Sequence, residues 1–292
     1  MSGVTAESVG PELLPPRGLR SPGFRANLAR RVGTALVALP LVLLTLFRAP
    51  AWAGVLLVAA ALAVGQLEFF ALLRARGIRP MHRIGFLLAA ALFADVVWPG
   101  WLGVPFAPLG ALVLLTFTLA RGADYESVSA AAATLLGAVY LGALGGTIAA
   151  LRLLPPQEDG AWRIVLLLTV IVFSDSLAFF VGNAFGRRRL APAVSPGKSV
   201  EGALGGLVGG VLAAFLIRRL GLPGLPALHA LALGLLVAGM GIVGDLDESL
   251  LKRWAGVKDS GTLFPGHGGM LDRLDSLLFG APVLYYYFQY VR

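Results

Sequence analysis

The sequence predicts an all-α, polytopic integral membrane protein of about nine transmembrane helices, and three observations carry that reading. Of its 292 residues, 57% are hydrophobic and only 14% charged, where a soluble domain carries roughly 25% charge. Too few charges remain to solvate a body of this size, so lipid must replace water around most of it. Apolar runs close to the ~20-residue length of a membrane span recur along the chain, and arginines flank them.

Residues 1–29 are a polar, Pro/Gly/Ser-containing segment without a helical apolar period up to about Phe24, expected to form a flexible cytoplasmic tail. Arg30 and Arg31 precede an apolar run, and Ala51-Trp52-Ala53 resembles a signal-peptide cleavage site. The charged region ahead of that run is too long for a signal peptide, and spans continue throughout the chain. Nine candidate spans follow at 30–47, 51–73, 84–101, 106–120, 128–151, 162–182, 202–220, 227–244 and 276–291. With the N-terminus inside, 18 of the 24 Lys and Arg residues fall on cytoplasmic segments. The exceptions are Arg48, Arg152, Arg163, Arg218, Arg219 and Arg292. This three-to-one bias sets the orientation, and nine spans place the C-terminus outside. The chain divides into the tail, an N-terminal transmembrane region over 30–173 and a C-terminal transmembrane catalytic region over 174–292.

Composition also excludes chemistry. There are no cysteines, so disulfides, thiolate metal sites and cysteine nucleophiles are ruled out. Any metal must sit on oxygen or histidine ligands, which favours a hard cation such as Mg²⁺. The net charge of +8 is spread as an orientation signal and as contact with anionic lipid, not as a nucleic-acid surface. Gly202, Gly205, Gly206, Gly209 and Gly210 form overlapping small-xxx-small patterns in the seventh span, a helix-packing signal.

Six of the sixteen acidic residues fall between positions 245 and 275: Asp245, Asp247, Glu248, Asp259, Asp272 and Asp275. A solvated loop with surface ion pairs, worth about 0–1 kcal/mol each, is the plain alternative, and the positions argue against it. Asp245 closes the apolar run Val237–Gly244, where a carboxylate is costly and usually functional. If the helix continues, Asp245, Glu248 and Lys252 share one face. Pro265-Gly266-His267-Gly268-Gly269 then breaks regular structure, and Asp272 and Asp275 follow three residues apart. Two pairs of carboxylates joined by a glycine turn can converge on a divalent cation, with phosphate oxygens and water completing its shell. Gly197-Lys198-Ser199 is not a P-loop, because Pro192 stands where the motif needs glycine and an apolar helix precedes it.

The segment Ser249-Leu250-Leu251-Lys252-Arg253, then Lys258-Asp259, then Pro265-Gly266-His267-Gly268-Gly269-Met270-Leu271-Asp272-Arg273-Leu274-Asp275 closely resembles the signature of the phosphatidate cytidylyltransferases, the CDP-diacylglycerol synthases. Ser174-Asp175-Ser176, Gly186, Leu190-Ala191-Pro192 and Ser195-Pro196-Gly197-Lys198 with Glu201-Gly202 resemble that family's preceding region. Val200 departs from it, standing where an aromatic residue is often found. The specific resemblance covers roughly residues 174–290; the first 170 residues share only hydropathy.

The resemblance implies transfer of the cytidylyl group of CTP to phosphatidic acid, with CDP-diacylglycerol and pyrophosphate as products. It implies Mg²⁺, alone or with a second cation, held by Asp245 and Asp272 with Glu248 and Asp275 in support. Lys252, Lys258 and Arg273 would complete the catalytic set with Asp275 by holding the triphosphate or leaving pyrophosphate. Asp175, Ser195, Lys198, Glu201, Arg253, Asp259 and His267 are the expected substrate-binding residues. It further implies membrane lipid as environment, a homodimer, and a site facing the cytoplasm, with the bacterial inner membrane as the expected location. A CTP-dependent lipid-alcohol kinase and a transporter are the competing classes. The first would release CDP; the second would spread its acids along a pathway, whereas these cluster. Asp95 and Glu68, acids within spans, could face a polar substrate cavity or equally serve helix packing, and neither is counted among the site residues.

Overall fold

The computed structural model describes residues 40–101, 103, 106–122, 124–261, 263 and 268–291. The expected tail, residues 30–39 of the first candidate span, and His267 lie outside them. Helical residues 40–48 lead into α1 (Ala51–Arg74), followed by α2 (His82–Val97), α3 (Phe106–Arg121), α4 (Tyr125–Leu153), α5 (Gly160–Phe185), α6 (Val200–Leu220), α7 (Ala227–Ala255) and α8 (Leu271–Tyr290). Each candidate span from 51 onward carries a helix. Among the described residues, α1, α4, α5 with its leading turn from Gln157, α6 and α7 are long and apolar enough to cross a membrane. The architecture is that of an α-helical membrane protein.

The all-α expectation needs one addition. Between α5 and α6 the chain forms a small antiparallel hairpin, β1 (Arg189–Ala191) and β2 (Ser195–Ser199), with Arg189 opposite Ser199 and Ala191 opposite Ser195. The Val194 N–H closes its turn on the Ala191 carbonyl at 3.2 Å, with Pro192 supplying the fixed φ that the turn's second position favours. Ser199 then starts α6, its side-chain oxygen accepting the Gly202 N–H at 3.1 Å, a regular N-cap bond.

The glycine patterns pack α5, α6 and α7 backbone to backbone. A Cβ on Gly202 would lie 2.8 Å from the Ala178 carbonyl oxygen, and one on Gly209 would lie 2.6 Å from that of Phe173. Gly210 and Gly234 face each other across α6 and α7, with added Cβ atoms 2.7 Å and 2.9 Å from each other's carbonyl oxygens. Only hydrogen side chains allow this approach. Leu166, Leu167, Val170, Val237, Leu278 and Leu284 fill the buried centre. Leu204, Val208 and Leu212 stay exposed on the outer face of α6, as a lipid-facing surface requires.

Helix α7 runs on past Asp245 to Ala255, so the charged residues of its last three turns stand on one continuous helix. Gly256 ends it in the left-handed conformation at φ 76°. The Val257 N–H reaches the Lys252 carbonyl at 2.9 Å and the Gly256 N–H reaches that of Arg253 at 3.1 Å, a Schellman closure. Helix α8 returns against α7 at Gly244, where an added Cβ would sit 2.5 Å from the Asp275 carbonyl oxygen. A residue of no volume thus brings Asp275 beside Asp245.

Candidate active site

The acids gather at the end of the bundle where α5 and α7 finish and α8 begins. A cavity of about 350 Å³ opens there, lined among others by Asp175, Asn183, Lys198, Ser199, Ile242 and Asp245. Three separate elements feed it: α5 carries Asp175 and Asn183, the hairpin delivers Lys198, and α7 supplies Asp245. The Lys198 ammonium pairs with Asp245 Oδ2, and the Ser249 hydroxyl donates to Asp245 Oδ1 at 3.4 Å. Asp175 interacts through space with Asp245, Lys198 and Arg273.

A second cluster lies beside the first. Lys252 Nζ donates to Glu248 Oε2 at 2.5 Å and to Asp272 Oδ1 at 2.6 Å, binding α7 to α8. The first of these is the i, i+4 pairing of a helix face. Glu248 is 1% exposed, and its Oε1 has no hydrogen-bond partner among the described residues. Asp272 Oδ2 takes the Ser260 N–H at 3.0 Å, the Ser260 hydroxyl at 2.9 Å and the Gly269 N–H at 2.7 Å. Asp272 lies ahead of the apolar run of α8. Burial alone would raise its carboxyl, but the Lys252 ammonium and the Gly269 N–H outweigh burial and hold it at about 2. Asp275 is buried, accepts the Ser276 N–H at 2.6 Å, and interacts electrostatically with Asp245, Asp175 and Lys252.

The remaining expected residues fall around these clusters. Glu201 Oε2 accepts the Arg187 and Arg188 N–H groups at 3.0 and 3.2 Å, which fastens the base of the hairpin. Ser195 stands at the far end of the hairpin, opposite Ala191 and outside the cavity lining. Arg253, Lys258, Asp259 and Arg273 are exposed around the turn after α7 and at the start of α8. Two residues given no site role by sequence reasoning occupy central places. Asn183 lines the cavity, and Glu68 of α1 reaches the start of α8 with hydrogen bonds to Met270, Leu271 and Ser260. An acid inside an apolar run was the only signal of Glu68, and it does not say what the acid meets.

Among the described residues, no three acidic or histidine side chains are grouped as metal ligands; Asp245, Glu248 and Asp272 are engaged by Lys198 and Lys252 instead. Asp175, Asp245, Glu248, Asp272 and Asp275 nevertheless outnumber these two lysines. Their all-oxygen donor set suits a hard cation, so the residues present fit Mg²⁺ in charge and in ligand type.

A membrane-embedded helical bundle with an acid-rich, lysine-paired cavity at one end is a frame for handling phosphate groups at a membrane surface. The chain belongs to the cytidylyltransferase family, whose model matches residues 29–291. It is 37% identical over 273 residues to a phosphatidate cytidylyltransferase of Thermotoga maritima, covering 90% of this chain and 97% of that one. It is 35% identical over 232 residues to a phosphatidate cytidylyltransferase of Bacillus subtilis, covering 77% and 85%. A shorter stretch of 133 residues is 45% identical to an uncharacterized Escherichia coli protein and spans 44% of that protein.

Proposed function

We propose that this chain transfers the cytidylyl group of CTP to phosphatidic acid, forming CDP-diacylglycerol and pyrophosphate. Membership of the cytidylyltransferase family across residues 29–291 carries the reading, supported by the resemblance to named phosphatidate cytidylyltransferases along nearly the whole chain. In the reaction a phosphatidate oxygen attacks the α-phosphorus of CTP. A new P–O bond forms, the bond from the α-phosphorus to the α,β-bridging oxygen breaks, and pyrophosphate leaves with that electron pair. Phosphatidate is already largely ionised at neutral pH, so no general base is required. The obstacle is repulsion between two anions.

The side chains answer that obstacle in kind. Lys198 is held at the cavity by Asp245, and Lys252 in the neighbouring cluster by Glu248 and Asp272. From there they neutralise phosphate charge and the charge that develops on the leaving oxygen. Lys258, after α7, and Arg273, at the start of α8, are exposed and extend the same field toward the triphosphate. Asp245 and Asp272 are the ligands assigned to Mg²⁺, with Glu248 and Asp275 in support; the ion supplies Lewis-acid stabilisation of the phosphoryl oxygens. Asp175 and Glu201 shape the cavity and hairpin that receive the headgroup.

The same reading puts the acid-rich end of the bundle in the cytoplasm, with nine spans, the C-terminus outside, a bacterial inner membrane around it and a homodimer as the assembly. The bias of basic residues supports the orientation. The test of function is turnover by purified protein in lipid with phosphatidic acid, Mg²⁺ and CTP labelled at the α-phosphorus. Label is expected in the lipid product, with pyrophosphate released and no turnover when chelator removes the metal. Label recovered in CDP, with the γ-phosphoryl group on lipid, would establish a kinase instead. The cysteine-free sequence makes orientation directly testable: Lys258→Cys should react with an impermeant maleimide only from the cytoplasmic face.

A further inference from the structure

Helix α8, which carries Asp272 and Asp275, begins without a capping side chain of its own. Its N-cap position is Met270, which makes no side-chain capping bond. The first N–H groups of a helix have no intrahelical partner, and within a membrane protein that lack is costly. The missing acceptor comes from about 200 residues away in sequence. Glu68 Oε1 accepts the Met270 N–H at 3.0 Å, and Oε2 accepts the Leu271 N–H at 2.8 Å. Oε2 also lies 3.2 Å from the Ser260 hydroxyl, the group that stands 2.9 Å from Asp272 Oδ2. Glu68 and Asp272 therefore close on the same serine hydroxyl. Two glycines leave room for this approach: an added Cβ would meet Glu68 oxygens at 2.3 Å on Gly261 and at 2.4 Å on Gly269.

We propose that Glu68 is a positioning residue for the active site, a capping carboxylate from α1 that holds Ser260 and the start of α8, and so aims Asp272. Its negative charge complements the positive end of the α8 dipole. Its two oxygens accept from consecutive amides, which sets both the helix start and its rotation. A glutamine in its place keeps the shape but puts an NH₂ against a backbone N–H. The N-terminal half of the chain thereby takes part in the catalytic geometry that the C-terminal half carries.

The inference rests on the proposed transferase reading only for its kinetic arm; its structural arm is independent. The experiment compares full-length wild type, Glu68→Gln, Gly261→Ala and the double variant in lipid nanodiscs. Hydrogen exchange of the 268–275 peptide is measured alongside kcat, KM and thermal stability. Gly261→Ala is the informative partner because the three nearest atoms its new Cβ would meet all belong to the Glu68 side chain. Loss of a charge-assisted cap should speed exchange at Met270 and Leu271 by about 10-fold or more. Misplacing Asp272 should lower kcat about 100-fold, with the phosphatidate KM changed less than about 2-fold. The double variant should match Glu68→Gln, since both changes act through one contact. Unchanged exchange at those two amides in Glu68→Gln overturns the capping claim. A fall in thermal stability with kcat per folded molecule intact overturns the positioning claim. An inactive wild type with faster exchange in the variant would reject the transferase reading and leave the cap standing.

Discussion

Helix α5 carries charge toward both ends, and the two ends handle it differently. Near its start Arg163 is 1% exposed, yet it is matched by groups close to it in sequence. It donates to the carbonyl oxygens of Leu154 at 2.5 Å and Pro155 at 2.9 Å, lies 3.9 Å from Asp159, and sits 5.0 Å from the centre of the Phe288 ring. Twelve residues on, Asp175 faces a cavity it shares with Asp245 of α7 and Lys198 of the hairpin, beside the cluster in which Lys252 joins Glu248 of α7 to Asp272 of α8. Charge balanced by neighbours along the chain closes a turn and does nothing further. Charge gathered from distant elements and left in surplus is what the proposed cation and phosphate site requires.

That contrast is most easily broken at the acids. Asp245→Asn and Asp272→Asn should each lower turnover by about 10²–10³-fold, the scale on which preorganised electrostatic groups act. Both proteins should still fold and insert, as judged by yield and a single size-exclusion peak. At the opposite end the effect should move from activity to stability. Arg163→Met strips partners from Asp159 and two carbonyls and should cost about 3 kcal/mol, read by thermal unfolding, while kcat per folded molecule stays at the wild-type value. Lys198→Ala removes a part-exposed partner of Asp245 and should be milder, about 10-fold, chiefly in the KM for an anionic substrate. Arg187→Ala should change stability by less than about 0.5 kcal/mol, because Glu201 is held by the backbone N–H of that residue and not by its side chain.

Much of this division was legible beforehand, for physical reasons. A membrane span is written as a long local apolar run, so helices lie where 51–73, 202–220 and 227–244 read as spans. The Glu248–Lys252 pair follows from one turn of helix, and the glycine stripe of α6 from the need for close backbone approach. What the residues did not disclose depends on remote partners. The hairpin around Lys198 has no alternating pattern, and its strands are three and five residues long. The Lys198–Asp245 pair joins groups 47 positions apart. Seven residues of α4, Ala138–Leu144, wind as π-helix, which no apolar period reveals. Glu68 does not read as a site residue because its partners are backbone amides, and any sequence could supply those. The motifs beyond residue 174 do not show that α1 contributes a carboxylate to the start of α8.

The central claim is that carboxylates from separate helices act as one cation-dependent nucleotide pocket. Equilibrium binding of labelled CTP to purified protein in nanodiscs, with and without Mg²⁺, tests it in wild type and in the Asp245→Asn and Asp272→Asn variants. The account predicts Mg²⁺-dependent binding in wild type, weakened about 100-fold by either substitution alone. Wild-type affinity for CTP in both variants would contradict it.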